Sequence, residues 1–148
     1  MSHSDSVSKA DYEVLAEFRY TLRRFLHFSE AAAAKLGLSA QQHQALLAIK
    51  GFPGREQVTV GELAERLQIR HHSAVGLADR LEAQKLIERT PGTSDRRKVY
   101  LSLTPQGLAL LENLSALHHE ELQRLIPQLR SLITRIDHRS TEETRTRV

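Results

Sequence analysis

The sequence contains no cysteine and no long apolar run, and each absence narrows what the chain can be. Without cysteine its 148 residues form neither disulfides nor thiolate metal sites, so control by thiol oxidation is excluded. No apolar run approaches the ~18 residues of a membrane span. The segment Met1–Ser6 also lacks the basic and then apolar pattern of a secretory leader, so neither a membrane protein nor a secreted one is predicted.

Catalytic motifs are missing as well. The sequence shows no Ser/His/Asp order, no glycine-rich phosphate loop and no pair of carboxylates set for acid–base work. We therefore predict no catalytic residue, no enzymatic activity and no cofactor. With 40% apolar and 26% charged residues, the chain has the composition of one ordinary globular domain.

Two short helices are predicted in the middle of the chain. Thr59 and Glu62 have the spacing of a capping box, which favours a helix start. The apolar stripe of this helix is Val60, Leu63, Ala64 and Leu67. A turn at residues 68–70 separates it from a second helix that begins at His71. The second stripe is Ala74, Leu77, Ala78 and Leu81. Two helices joined by so short a turn are typical of DNA-binding motifs.

The outward face of the second helix carries predicted DNA contacts. A step of about 100° per residue places His72, Gly76 and Asp79 opposite the apolar stripe. Small polar and basic side chains near the start of such a helix bond base edges or phosphates in the major groove. The candidates are Arg70, His72, Ser73, Val75, Gly76 and Arg80. Asp79 is acidic, so we expect it to pair with an arginine instead of contacting DNA.

Gly76 is a poor helix former, because glycine in a helix costs about 1 kcal/mol relative to alanine. Two interpretations stay open at this position: close approach of a partner to the bare backbone, or simple tolerance. The neighbouring histidines have a similar alternative, since they could be plain surface residues.

After the second helix the pattern changes from helical to alternating, which predicts antiparallel strands at residues 87–90 and 98–103. The connecting residues 91–97 are rich in loop formers and too many for a tight turn, so they project as a wing. Between Lys85 and Lys98 five basic residues outnumber two acidic ones, an excess equal to the whole chain's net charge of +3. The predicted DNA contacts are Arg96, Arg97 and Lys98, with an arginine in the minor groove. The alternative is a solvated loop.

Further helices flank this region. Ser39 and Gln42 form another capping box, before a helix whose inward residues are predicted to be Leu46, Leu47, Ala48 and Ile49. Long helical patterns cover residues 11–36 and 104–126. Pro127 is expected to break or kink the second pattern before a last helix. The tail, residues 137–148, has no apolar period and is predicted to be frayed.

The terminal helices point to a dimer. A DNA-binding lobe of roughly 65 residues needs little more than its own core, so the terminal apolar helices are surplus to it. In a dimer they would interleave about a two-fold axis and place two recognition helices roughly 34 Å apart, on a near-palindromic site. The alternative is that they complete a monomeric bundle.

Five runs stand in a characteristic order and spacing: residues 60–67, 79–82, 86–89, 95–97 and 103–107. In this order they resemble the MarR-type (multiple antibiotic resistance regulator) winged-helix repressors of bacteria. The resemblance implies a mainly α fold with a small β-hairpin wing, in which a winged helix-turn-helix is flanked by N- and C-terminal dimerisation helices. It also implies double-stranded DNA as a partner, a homodimer, and a cytoplasmic, nucleoid-associated location.

The same resemblance assigns roles to single residues. Asp95 would hold the wing in shape by pairing with a nearby arginine. Members of the family typically bind an anionic aromatic or phenolic effector beside the dimerisation helices and lose DNA affinity. Candidate effector contacts are Tyr20, Arg24, His27 and Phe28, whose alternative role is dimer core and its polar edge. Lys85 departs from the family, which commonly has a glycine that ends the recognition helix there.

We therefore divide the chain into an N-terminal dimerisation helix (1–38), a winged helix-turn-helix lobe (39–103), and C-terminal dimerisation helices with a frayed tail (104–148). The favoured function is a homodimeric repressor relieved by a small anionic aromatic ligand. An alternative is a metal-responsive regulator, with ligands drawn from His43, His118, His119, Glu120, Glu121 and His138. Adjacent histidines on a helix point about 100° apart, which argues against that site. A third possibility is a winged module that binds protein and not DNA.

Overall fold

The computed structural model describes residues 6–145, except for the side chains of residues 139, 140 and 142–144. Its elements are α1 (Lys9–Lys35), α2 (Ala40–Lys50), β1 (Gln57–Val58), α3 (Val60–Leu67), α4 (His71–Ala83), β2 (Ile87–Pro91), β3 (Val99–Leu103) and α5 (Pro105–Arg145). The mainly α architecture with a β-hairpin wing is confirmed. Sequence predictions for residues 1–5 and 146–148 lie outside the described residues. Between residues 6 and 145 no helix is both long and apolar enough to cross a bilayer.

The described chain forms two compact units. The first unit consists of residues 6–29 and 118–145, which are the greater part of α1 and the later part of α5. The second unit, residues 30–117, contains every other element and includes the lobe predicted at residues 39–103.

The second unit has a continuous apolar core. Its largest fully buried side chains are Leu46, Ile49, Val58, Leu63, Leu77, Leu81, Ile87, Leu101 and Leu114. Both predicted capping boxes are present. Ser39 Oγ accepts from the Gln42 amide at 3.1 Å, and Thr59 Oγ1 accepts from the Glu62 amide at 3.2 Å. In return Gln42 and Glu62 accept from the amides of Ser39 and Thr59 at 2.9 and 3.0 Å. These reciprocal bonds satisfy donors that the helix starts leave free, and so fix where α2 and α3 begin.

The sheet has three antiparallel strands in the order β1-β3-β2. The predicted hairpin pairs Ile87 with Leu103 at one end and Pro91 with Val99 at the other. The sequence did not reveal β1, because its two residues are too few to display an alternating pattern. Val58 of β1 is fully buried opposite Leu101, so this short strand contributes to the core.

Three expectations for the helices were wrong. Leu47 is 50% exposed, since the 100° step that turns Leu46 and Ile49 inward turns Leu47 away. Of the break or kink expected at Pro127, the break into a separate last helix is not observed, because α5 is continuous from Pro105 to Arg145. A proline inside a helix removes only one amide donor, and the remaining hydrogen bonds of a long helix can hold both sides together. The tail is helical as far as Arg145, because extending an existing helix is far easier than starting one.

The end of α4 explains the departure at Lys85. The Leu86 amide donates to the Leu81 carbonyl at 3.0 Å and the Lys85 amide to the Glu82 carbonyl at 2.9 Å, which is a Schellman motif. Lys85 has φ 61°, the left-handed conformation that glycine adopts without strain. Lysine is accommodated there at a cost of about 1 kcal/mol.

The start of α5 is fastened to this junction. Thr104 Oγ1 donates to the Lys85 carbonyl at 2.6 Å, and the Thr104 amide donates to the Leu86 carbonyl at 3.1 Å. Thr104 Oγ1 also accepts from the Gly107 amide at 3.1 Å, so it caps α5. A Cβ at Gly107 would overlap the Leu86 carbonyl oxygen, so only glycine permits this close approach.

Candidate nucleic-acid interface

Helix α4 turns one face to the core and the other to solvent. Its predicted apolar stripe is buried: Ala74, Leu77, Ala78 and Leu81 are at most 1% exposed. The turn before it begins at Gln68, which ends α3 in the left-handed conformation (φ 54°). Arg70 is the N-cap of α4 in an extended conformation and gives the helix no side-chain cap bond. The predicted helix pair and its three-residue turn are therefore confirmed.

The structure brings the α4 candidates together on the solvent side. Arg70, His72, Ser73 and Arg80 are exposed, and Val75 and Gly76 are half-buried. A Cβ added at Gly76 would meet only Arg80 Nη1, at 3.6 Å, which is ordinary van der Waals contact. The fold of the second unit therefore has no need of glycine at this position.

The wing loop is closed by Asp95. Its Oδ1 accepts from the Arg97 amide at 3.0 Å and lies 3.5 Å from Arg97 Nε. Its carbonyl accepts from the Lys98 amide at 3.1 Å, and the Lys98 carbonyl accepts from the Gly92 amide at 2.8 Å. With the loop ordered by these bonds, the side chains of Arg96, Arg97 and Lys98 stay exposed.

Asp79 pairs with Arg89, a residue of β2 that was not among the predicted contacts. Arg89 Nη2 lies 2.7 Å from Asp79 Oδ1, and Arg89 Nη1 lies 2.8 Å from Glu82 Oε1. The hydrogen bond that Arg89 donates to Asp79 raises the pKa of Arg89. Partial burial acts to lower this pKa, and the charge of Glu82 raises it further. The pairing links β2 to α4. The sequence predicted that Asp79 pairs with an arginine. It did not identify Arg89 as the partner, because the chain contains many arginines.

Arg55 was also missed, because nothing in its sequence neighbourhood marks it. It forms an ion pair with Glu62, and its guanidinium lies over the rings of Phe52 and Tyr100. Partial burial acts to raise the pKa of the Glu62 carboxyl, but hydrogen bonds from Thr59 and the charge of Arg55 outweigh it. The pKa of Glu62 therefore lies below its usual value.

The four effector candidates do not converge within the first unit. Arg24 lies over the Tyr20 ring at 5.5 Å, whereas the Phe28 ring packs edge-on against the His118 ring at 5.5 Å. His27 is exposed. Of the four, only Tyr20 lines the surface crevice between α1 and α5 of this unit.

The histidines proposed as metal ligands lie apart. His118 packs against Phe25 and Phe28, and its Nε2 lies 2.8 Å from Ser29 Oγ. His43 is buried in the second unit. Among residues 6–145 no three His, Asp or Glu side chains come together as a metal site.

Comparisons with known proteins agree on the type of fold. The sequence profile of the MarR family matches residues 36–98. The HTH-type transcriptional repressor MdtR of Bacillus subtilis is 48% identical over 48 residues, which are 32% of this chain and 31% of MdtR. The HTH-type transcriptional repressor NicR of Pseudomonas putida is 27% identical over 113 residues, 74% of this chain and 70% of NicR. The chain thus spans less than a third of MdtR.

Solved structures match over nearly the whole chain. AbsC, a MarR family transcriptional regulator from Streptomyces coelicolor, has a TM-score of 0.71 at 19% identity and covers 97% of this chain and 99% of AbsC. A mutant of Staphylococcus aureus MepR bound to an oligodeoxyribonucleotide has a TM-score of 0.61 at 23% identity. The match covers 93% of this chain and 98% of the MepR chain. At these identities the likeness establishes the fold. Together with the profile match, it makes residues 36–98 similar in sequence, and the chain similar in fold, to the MarR family of winged helix-turn-helix transcriptional regulators.

Proposed function

We propose that the chain is a homodimeric repressor that binds a near-palindromic DNA site, with α4 in the major groove and the wing in the minor groove. The observation that carries this proposal is a set of basic side chains, on and beside α4 and in the wing, that form no ion pair with the described part of the protein. Arg70, Arg80, Arg96 and Lys98 are exposed and, within residues 6–145, form no ion pair. Arg89, by contrast, is committed to Asp79 and Glu82. Cations without protein partners are the groups that neutralise phosphates.

Helix α4 suits the major groove in shape and in charge. Its exposed face is narrow, because Ser73, Val75 and Gly76 have small side chains. Its first turn has no side-chain cap, so its amides stay available to a phosphate, which the positive end of the helix attracts. His72 and Arg80 add donors for base edges or phosphates.

The wing suits the minor groove. Asp95 orders the loop backbone, so less conformational entropy is lost when Arg96 enters the groove than a free loop would lose. We infer that Arg96 and Arg97 contact the minor groove and Lys98 a phosphate.

Exposed apolar side chains on the first unit support dimerisation. Along α1 they are Tyr12, Leu15, Phe18, Leu22 and Leu26, and along α5 they are Leu122, Ile126, Ile133 and Ile136. Their exposure lies between 40% and 62%. Single exposed apolar residues are ordinary, but such a series on two helices is typical of an interface. A second copy of the first unit would cover it and bring two DNA-binding lobes into one cytoplasmic, nucleoid-bound particle.

For regulation we propose a small anionic aromatic effector, which rests on the family and on the basic and aromatic pair Arg24 and Tyr20. An effector that favours the non-binding state 100-fold would supply about 2.7 kcal/mol, enough to vacate most sites.

Selection of fragments from the source genome tests the DNA-binding function. Purified protein should enrich a small set of fragments that share two inverted half-sites about one helical turn apart. Addition of salicylate-like carboxylates should release them. A failure to enrich any fragment above non-specific background would refute the proposal. Weak binding that is indifferent to salt would indicate the protein-binding module instead.

A further inference from the structure

Arg55 is held in place by a tight turn. The turn runs from Phe52 through Pro53 and Gly54, and the Arg55 amide donates to the Phe52 carbonyl at 3.3 Å. Pro53 at the second position and Gly54 at the third, with φ 79°, are the residues of a type II turn. The turn therefore holds the backbone of Arg55 independently of the contacts that its side chain makes.

The Arg55 guanidinium connects its own turn to α3 and to β3. It forms an ion pair with Glu62, whose other oxygen caps the start of α3. Its carbon lies 4.5 Å from the centre of the Phe52 ring and 5.6 Å from the centre of the Tyr100 ring. A planar guanidinium can stack on rings while its edge pairs with a carboxylate, which the point charge of a lysine cannot do.

Tyr100 carries this connection into the wing. It lies on β3 opposite Thr90, and its ring covers Gly92 at the start of the wing loop. A Cβ at Gly92 would stand 3.0 Å from Tyr100 Cε2, so ring and loop are in close contact. The Gly92 amide donates to the Lys98 carbonyl and thereby closes the loop that holds Arg96.

We propose that Arg55 is a positioning residue for the wing. It contacts no DNA; it couples the capped start of α3 to the base of the wing loop through Tyr100, and so sets where Arg96 and Lys98 meet the duplex. The contacts above carry the coupling, and its consequence for DNA rests on the proposed function. Arg89 ties β2 to α4, so the two arginines hold different strands of the wing.

Amide exchange tests the coupling without DNA. Arg55→Ala should accelerate exchange of the Gly92 and Lys98 amides by about fivefold, because the loop loses its support. Arg55→Lys keeps a charge for Glu62 but not the planar face, so it should accelerate the same amides while preserving most of the thermal stability. The control is Lys50→Ala, which breaks the nearby ion pair with Glu56 and should leave both amides unchanged. Unchanged wing amides in both Arg55 variants would overturn the proposal.

A double-mutant cycle tests the consequence for DNA. Arg55→Ala should lower affinity for a selected fragment about fivefold in the natural background, and less than twofold when Arg96→Ala is already present. Equal losses in the two backgrounds would mean that Arg55 acts through general stability, and would overturn the proposal. If the unsubstituted protein binds no fragment at all, the proposed function fails, and the exchange rates still decide the role of Arg55.

Discussion

Arg89 Nη2 lies 2.7 Å from Asp79 Oδ1, so the second strand of the wing is tied to the outward face of α4. The same guanidinium reaches Glu82, and the Arg89 side chain is 27% exposed. The Arg89 guanidinium therefore pairs with two carboxylates of α4, the helix that we propose faces the DNA phosphates. Surface ion pairs of this kind contribute about 0.2–1 kcal/mol each to stability, so we expect the loss of Arg89 to cost little stability.

Arg89→Ala should lower DNA affinity about tenfold, which corresponds to ~1.4 kcal/mol, with only a small loss of thermal stability. The physical reason is repulsion between the two exposed carboxylates and the DNA backbone. Fluorescence anisotropy with a selected fragment measures the affinity. Adding Asp79→Asn to the same variant should recover part of the loss, whereas no recovery would rule out the charge explanation.

Gly76→Ala should change stability and DNA affinity in opposite directions. Alanine in a helix is favoured over glycine by about 1 kcal/mol, and there is room for a Cβ, so the melting temperature should rise. If DNA approaches the bare backbone, the added methyl group should weaken binding about tenfold. Calorimetry and anisotropy measure the two effects. A more stable variant with unchanged affinity would favour simple tolerance over close approach.

Gly107→Ala should destabilise the protein by about 2 kcal/mol, because the new Cβ would overlap the Leu86 carbonyl and separate α5 from its cap at Thr104. Denaturant unfolding measures the change. The matched control is Gly61→Ala, where a Cβ would meet nothing closer than Thr59 Oγ1 at 3.9 Å. That variant should be at least as stable as the natural chain, and a Gly107 variant of natural stability would contradict the packing argument.

Local signals predicted most of the fold. Thr59 and Ser39 mark helix starts because capping depends on residues only three apart. The strands of the wing show a two-residue period long enough to recognise. The two residues of β1 are too few to display a period. The continuity of α5 through Pro127 depends on the rest of a long helix, whereas the rule that proline ends a helix considers only the neighbouring residues.

The candidate interface was predicted less completely. Exposure of the α4 and wing residues follows from their positions opposite buried stripes. The pairing of Asp79 with Arg89, ten residues on, depends on how β2 docks against α4. The contact between Arg55 and Tyr100 joins the turn before β1 to β3, and no spacing in the sequence encodes it.

Replacing Leu15 and Ile133 with glutamate should convert a dimer to a monomer. The two side chains are 60% and 62% exposed in one chain, so the monomer fold should persist while the interface acquires buried charges. Analytical ultracentrifugation at micromolar concentration measures the state. Leu47→Glu, at a position 50% exposed in the second unit, should stay dimeric. A natural chain that sediments as a monomer would refute the dimer.

The central claim is that the wing and α4 neutralise DNA phosphates, and the salt dependence of binding tests it most directly. The logarithm of the binding constant should fall steeply with the logarithm of salt concentration, and Arg96→Ala should reduce the slope by about one unit. Arg130→Ala, an exposed arginine on α5 of the first unit, should leave the slope unchanged. An identical slope for the natural chain and the Arg96 variant would contradict the account.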